Sequence, residues 1–350
     1  MFKILMRKNV LAIIGIFSSV YLLFTMPDAV KSGVTNGLEL CVYTIIPSLF
    51  PFMVLSGFII KSDVLSPVYK SLSPITRFLL KQPDNAVAIV VMGLIGGFPI
   101  GAKMTATLFE NGKLTRNQAQ RLCMFCVNGG PAFIITAVGV NMLGSNRAGV
   151  IMFASLCISS IILGIVSSFF DDKDEIKTTS KAYGQKPLLA LSASVSDNIN
   201  ATLSICAWIV LFSALTECIR QIKFSENVYM TISAILEVTN GCSQIAGKIP
   251  LEIITAVIGF GGLCVHCQIY SFIKETELKY IRFLTGRIIN GGLSAVICHI
   301  LLNFFPVESS TAVQNVEQII PLSVSYPAVF IIMIMCVIMI FDIDSKRKVW

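Results

Sequence analysis

Charge is what this sequence has least of. Of its 350 residues, 13% are Asp, Glu, Lys or Arg, against 55% hydrophobic. Soluble chains carry roughly 25% charged residues, so an ordinary soluble fold is excluded. Catalytic signatures are missing too: there is no GxSxG, HExxH or P-loop, and no dinucleotide-type glycine motif followed by an acidic ribose ligand. The one acid-dense stretch, Asp171–Lys186, carries four acids and four lysines and reads as a solvated linker. No enzyme, catalytic residue, metal or cofactor is expected.

What is present is apolar length. Nine windows of 17 or more residues contain no charged residue: 10–27, 40–60, 86–102, 122–146, 148–170, 198–216, 253–273, 288–307 and 318–341. A bilayer core about 30 Å thick needs about 20 apolar residues at ~1.5 Å each, so the chain is an all-α polytopic membrane protein with the lipid bilayer as its solvent. The formal charge is +7, from 27 basic and 20 acidic residues. The basic residues are scattered over short loops and both ends, as membrane orientation requires. Nucleic acid is not an expected partner.

Most of the eleven cysteines fall inside apolar windows, where cysteine behaves as a small hydrophobe. Cys123-Met-Phe-Cys126 lacks a second pair. Cys264-Val-His266-Cys267 has residue types that ligate zinc, but reduced structural thiols are the default. The basic residues Lys3, Arg7 and Lys8 followed by an apolar run resemble a signal peptide. No small-x-small cleavage site precedes a soluble domain, so a retained first helix is expected.

The expected organisation is an N-terminal transmembrane helix (1–30), a first repeat (31–170), a charged linker (171–187), a second repeat (188–342) and a basic tail (343–350). A shift of 162 positions places Gly97-Phe98 on Gly259-Phe260 and Asn128-Gly-Gly on Asn290-Gly-Gly; Asn36/Asn198 and Phe50/Phe212 also coincide. The alternative is two unrelated glycine-rich kinks. Gly93, Gly96, Gly97, Pro99 and Gly101 fall within nine residues, matched more thinly by Gly259, Gly261 and Gly262. Glycine and proline interrupt helices, and broken backbone is tolerated in hydrocarbon only where protein or a wet cavity satisfies it. Interrupted segments at matching places in two halves point to a transport site. The expectation is therefore two pseudo-symmetric, inverted repeats, with re-entrant helical hairpins at 84–110 and 250–275 and further breaks at Asn128-Gly-Gly and Asn290-Gly-Gly. Seven spans follow from the repeat. Basic residues at both ends ask for an even number, which an eighth crossing near 227–247 would supply. The stretch 61–81, with Lys61, Lys70, Arg77 and Lys81, reads as a basic interfacial segment.

Polar groups inside membrane segments are costly and need an account. Lys103, beside the first hairpin tip, is either a counter-charge for an anionic substrate or a snorkelling lysine. Asn128 and Asn290 suit a polar ligand or the capping of broken helices. Glu237 either binds a coupling proton or cation or faces water at a helix end. His266 and His299 read as packing residues.

Gly97-Phe98-Pro99-Ile100-Gly101-Ala102-Lys103, then Leu114-Thr115-Arg116 and Asn128-Gly-Gly-Pro131-Ala-Phe133, resemble the sporulation integral membrane protein family YlbJ. Ile46–Phe52 and Glu237-Val-Thr-Asn240-Gly resemble its pattern as well, and the resemblance spans roughly residues 8–340. It implies a nucleoside-recognition gate domain, repeats similar to those of concentrative nucleoside transporters, and a place in the bacterial cell membrane, in the outer forespore membrane. It further implies transport of dipicolinic acid during spore formation, with Gly97–Lys103 and Asn128–Pro131 along the pathway. The expected substrate-binding residues are Gly97, Phe98, Pro99, Gly101, Lys103, Asn128, Pro131, Glu237, Asn240, Gly261 and Asn290, and the partner is a small-molecule anion. A nucleoside carrier, a non-transporting membrane scaffold and a homo-oligomer remain open alternatives.

Overall fold

The computed structural model describes residues 17, 20–21, 23–170, 184–222, 224–274, 276 and 278–307. Most of the windows 10–27 and 171–187, and all of 318–341 and 343–350, lie outside the described residues. No strand occurs among the described residues. A helix satisfies its own backbone hydrogen bonds, which is what an apolar chain in hydrocarbon requires.

The first half runs α1 (Pro27–Leu40), a π-helical segment π1 (Cys41–Ile45), α2 (Ile46–Ser62), α3 (Ser66–Leu79), α4 (Ala86–Ile95), α5 (Phe98–Glu110), α6 (Arg116–Phe125), a second π-helical segment π2 (Ala132–Met142) and α7 (Asn146–Ser167). The second half runs α8 (Pro187–Arg220), α9 (Glu226–Leu236), α10 (Val238–Ile245), α11 (Leu251–Phe260), α12 (Gly262–Ile273) and α13 (Tyr280–Phe304). Local signals set several starts. Thr115 and Gln118 form a reciprocal capping box on α6, and Ser145 accepts the Ala148 N–H at the start of α7.

Five stretches among the described residues are long and apolar enough to cross a membrane: Pro27–Ser62, Asn146–Ser167, Pro187–Arg220, Leu251–Ile273 and Tyr280–Phe304. At 34 residues, α8 is about 51 Å long and serves as a spine for α1, α2 and α12. Gly33 and Gly37 bring α1 onto it: a Cβ at these positions would stand 2.6 Å from Ala214 Cα and 2.8 Å from Val210 Cα. Small residues four apart are how helices approach closely where lipid supplies no hydrophobic drive.

The two glycine-rich segments behave differently. After α4, Gly97 adopts φ +100°, ψ 167°, a conformation open to glycine alone, and α5 folds back along α4. Gly93 and Gly101 then face each other across the Cys126 carbonyl, whose oxygen a Cβ on either would overlap. In the second half, Gly261 and Gly262 have φ of +91° and +70°, but α11 packs on α13 and α7 while α12 packs on α5 and α8. The expected side-by-side hairpin at 250–275 is therefore replaced by a sharp bend. The sequence difference is Pro99, which has glycine as its counterpart. The expected break at Asn290 is also absent, because α13 runs unbroken through Asn290-Gly291-Gly292. No proline follows there, whereas Pro131 follows Asn128-Gly-Gly, where residues 126–130 are non-helical. Gly291 is kept small by α11, since Gly259 lies against its Cα. In the segment 227–247, α9 and α10 are separated by extended Glu237.

Gly101→Ala must push α5 off the Cys126 carbonyl. A loss of about 2–4 kcal/mol is expected, seen as a lower thermal unfolding midpoint in detergent, whereas Gly292→Ala, on an open face of α13, costs less.

Candidate functional site

The breaks in the helices meet at one cavity of about 440 Å³. Its walls come from π1 and the start of α2 (Thr44, Ser48, Phe52), the α4–α5 turn (Gly96–Pro99), π2 (Phe133, Thr136, Asn141), α8 (Ile205, Ile209), the α9–α10 junction (Glu237–Thr239) and α12 (Val265, Gln268). Both π-helical segments line it, and such segments are frequent at functional sites because the wider turn frees backbone groups. Tyr43, Pro47, Thr136 and Asn141 are exposed at the rim, while Phe98, Glu237, Val238 and Gln268 are buried at the floor.

Each floor residue is placed by a break. Phe98 and Pro99 are the first residues of α5, so the positive end of that helix faces the cavity. The Phe98 ring leans on Phe133 at a centroid distance of 6.4 Å and on Gly261, whose missing side chain leaves room for it. Glu237 is extended (φ −142°, ψ 118°) and only 2% exposed. Its carboxylate accepts the Thr239 N–H at 3.0 Å and the Asn240 N–H at 2.7 Å, capping α10 while also lining the cavity. Gln268 donates to Cys264 Sγ at 3.4 Å. No lysine or arginine lines the cavity among the described residues.

Of the expected site residues, Gly97, Phe98, Pro99 and Glu237 line this cavity. Gly261 stands behind Phe98, Gly101 belongs to the α4–α5 contact, and Pro131 opens π2 between the lining residues Gly130 and Ala132. Asn240 gives its N–H to Glu237 and its amide to Ser213. Lys103 is directed elsewhere: its ammonium donates to the Asp197 carbonyl at 3.1 Å and to Asn198 Oδ1, beside the Lys61–Asp197 ion pair.

Asn128 and Asn290 form a separate buried cluster. Asn290 Nδ2 donates to Asn128 Oδ1 at 3.2 Å. Ser159 donates to Asn290 Oδ1 at 2.6 Å and Ser160 to Asn128 Oδ1 at 2.8 Å. Asn128 also donates to Phe125 O at 2.9 Å, which takes up a carbonyl at the end of α6. His266 bonds Tyr280 Oη at 2.8 Å and the Phe260 carbonyl at 3.1 Å. Among the described residues no group of three or more His, Cys, Asp or Glu could hold a metal. Thr44, Thr136, Asn141 and Gln268 were not legible as site residues, since ordinary polar residues in apolar runs carry no spacing signal.

The chain is 23% identical over 319 aligned residues, covering 79% of it and 78% of the relative, to the sporulation integral membrane protein YlbJ of Bacillus subtilis (strain 168). No protein-family model and no solved structure matches it. This likeness to an integral membrane protein and the apolar helices agree on a multi-pass integral membrane protein.

The asparagine cluster predicts non-additivity. Asn128→Leu and Asn290→Leu each strand partners in a dry core and are expected to lower stability, while the double variant loses less than the sum. Unfolding of the four proteins should give a coupling of about 0.5–2 kcal/mol.

Proposed function

We propose that the protein carries a small solute across the membrane through this cavity, with the two halves of the chain acting as pseudo-symmetric repeats around it. The observation that carries the reading is a polar-floored cavity bounded by helix breaks from both halves, at the α4–α5 turn and at Glu237. Discontinuous helices meeting at a cavity are the common construction of secondary transporter sites. The repeat reading is supported where residues 162 apart meet. Asn128 bonds Asn290, and a Cβ on Gly286 would stand 2.8 Å from Met124 Cα. A residue meets its own counterpart only along a symmetry axis, here between α6 and α13. On this reading the α4–α5 hairpin is re-entrant, entering and leaving the bilayer on one side.

The solute inferred from the family resemblance is dipicolinate, moved during spore formation. A dianion in this cavity would meet the positive end of α5 and would be opposed by the Glu237 carboxylate. Protonating Glu237 removes that repulsion, so uptake of the anion is coupled to a proton. A neutral nucleoside is the second reading, supported by the absence of lysine and arginine from the described walls and by the hydroxyl and amide groups that Thr44, Thr136, Asn141 and Gln268 offer.

Proteoliposomes loaded with the purified protein test both. Labelled dipicolinate uptake should rise with an inward proton gradient, by about tenfold if one unfavourable charge contact near 1.4 kcal/mol is removed. Glu237→Gln keeps one acceptor for the α10 cap and should transport without responding to the gradient. Labelled uridine taken up in place of dipicolinate decides for the nucleoside. Absence of uptake of either removes the transport reading in favour of a membrane scaffold.

A further inference from the structure

The largest of the fully buried side chains is Arg287 on α13, with 0% exposure. Its Nε, Nη1 and Nη2 are all buried, and none has a hydrogen-bond partner among the described residues. A guanidinium presents five donors in a fixed fork and keeps its charge. Burying one unpaired is among the costliest arrangements a fold can hold. The same molecule shows how it treats a buried arginine when the role is structural. Arg121, 5% exposed, reaches the Leu80 and Gly164 carbonyls and Ser167 Oγ.

Among the described residues the surroundings of Arg287 offer it no acceptor. The preceding residue, Gly286, allows α13 to lie against Met124 at the end of α6. The Cys126 thiol and the His266 ring are within electrostatic reach. His266 has both nitrogens committed, to Tyr280 Oη and to the Phe260 carbonyl. Phe283, one turn earlier on α13, has its ring 5.1 Å from the imidazole. The groups within electrostatic reach of the guanidinium are thus a thiol and an imidazole whose nitrogens are both taken. Arg287 does not line the cavity that contains Glu237.

We propose that Arg287 is the ligating cation of an occluded anion site between α6, α12 and α13, taking one compact negative group of the halide or carboxylate class. Two donors of the fork hold the anion, and the apolar wall excludes water that would otherwise compete for it. The site stands apart from the cavity and does not depend on what crosses there.

The test uses the full chain, purified in detergent and kept in a buffer whose only anion is a bulky sulfonate. Sodium chloride and sodium formate are titrated separately at constant ionic strength, reading the thermal midpoint and the binding of labelled anion by equilibrium dialysis. The expected result is saturable binding of about one anion per chain, with a midpoint rise of at least ~2 °C. Chloride and formate arms show which source fills the site. Arg287→Met removes the charge at similar volume. It should be at least as stable as the parent without anion, and its midpoint should not respond to either salt. Arg287→Lys keeps the charge without the fork and should bind at least ~10-fold more weakly. A parent protein with no saturable response, an Arg287→Met protein that keeps it, or an Arg287→Lys protein of unchanged affinity overturns the proposal. Glu237→Gln should leave anion binding at Arg287 intact, so this result and the transport result can fail separately.

Discussion

Residues 126–130 are non-helical and buried at the centre of a molecule built for hydrocarbon, and much of the surrounding architecture serves that stretch. Unwound backbone cannot face lipid, so it must be enclosed by protein. The α4–α5 hairpin supplies one wall, reaching the Cys126 carbonyl because Gly93 and Gly101 have no side chains. Asn128 supplies another by taking the Phe125 carbonyl. Asn290 and Ser160 of α7 in turn hold Asn128, and Ser159 holds Asn290. The break in one half is thus secured by an unbroken helix from the other.

Interior polarity divides into two kinds with different consequences. The Asn128–Asn290–Ser159–Ser160 group is buried and bonded within itself, so it ties helices together, and it lies apart from the cavity. Around Glu237 the polar groups come from π1, α2, π2, α10 and α12 and line open space. A carboxylate that caps a helix while lining a cavity couples the state of the cavity to the geometry of α10. Lys103 belongs to neither group, being held by Asp197 and Asn198, about three turns into α8.

The legible parts were those with strong local causes. Gly97-Phe98-Pro99 announces a break through backbone sterics, and the hairpin and the floor residues Phe98 and Pro99 follow from it. The 162-residue shift pointed to Asn128 and Asn290 as counterparts, which the structure brings into one hydrogen bond. The same shift over-reached at Asn290-Gly-Gly and at 250–275, because matching glycines do not break a helix unless a proline or a packing demand accompanies them. One reading of Glu237 in sequence is a helix end facing water; folding makes it a buried break between α9 and α10, because where a helix end is covered depends on distant elements.

Taken alone, the order of residues decided the apolar class, the helical content and the position of the α4–α5 turn, since each depends on hydrophobic length or on steric limits within a few residues. Which polar side chains would meet one another was decided only by folding. Lys103 found Asn198, Asn128 found Asn290, Glu237 turned to a cavity, and Arg287 was enclosed with no acceptor among the described residues. Those pairings depend on the rotation of each helix about its axis, and that rotation is settled by long-range packing of helices whose apolar residues run all the way round.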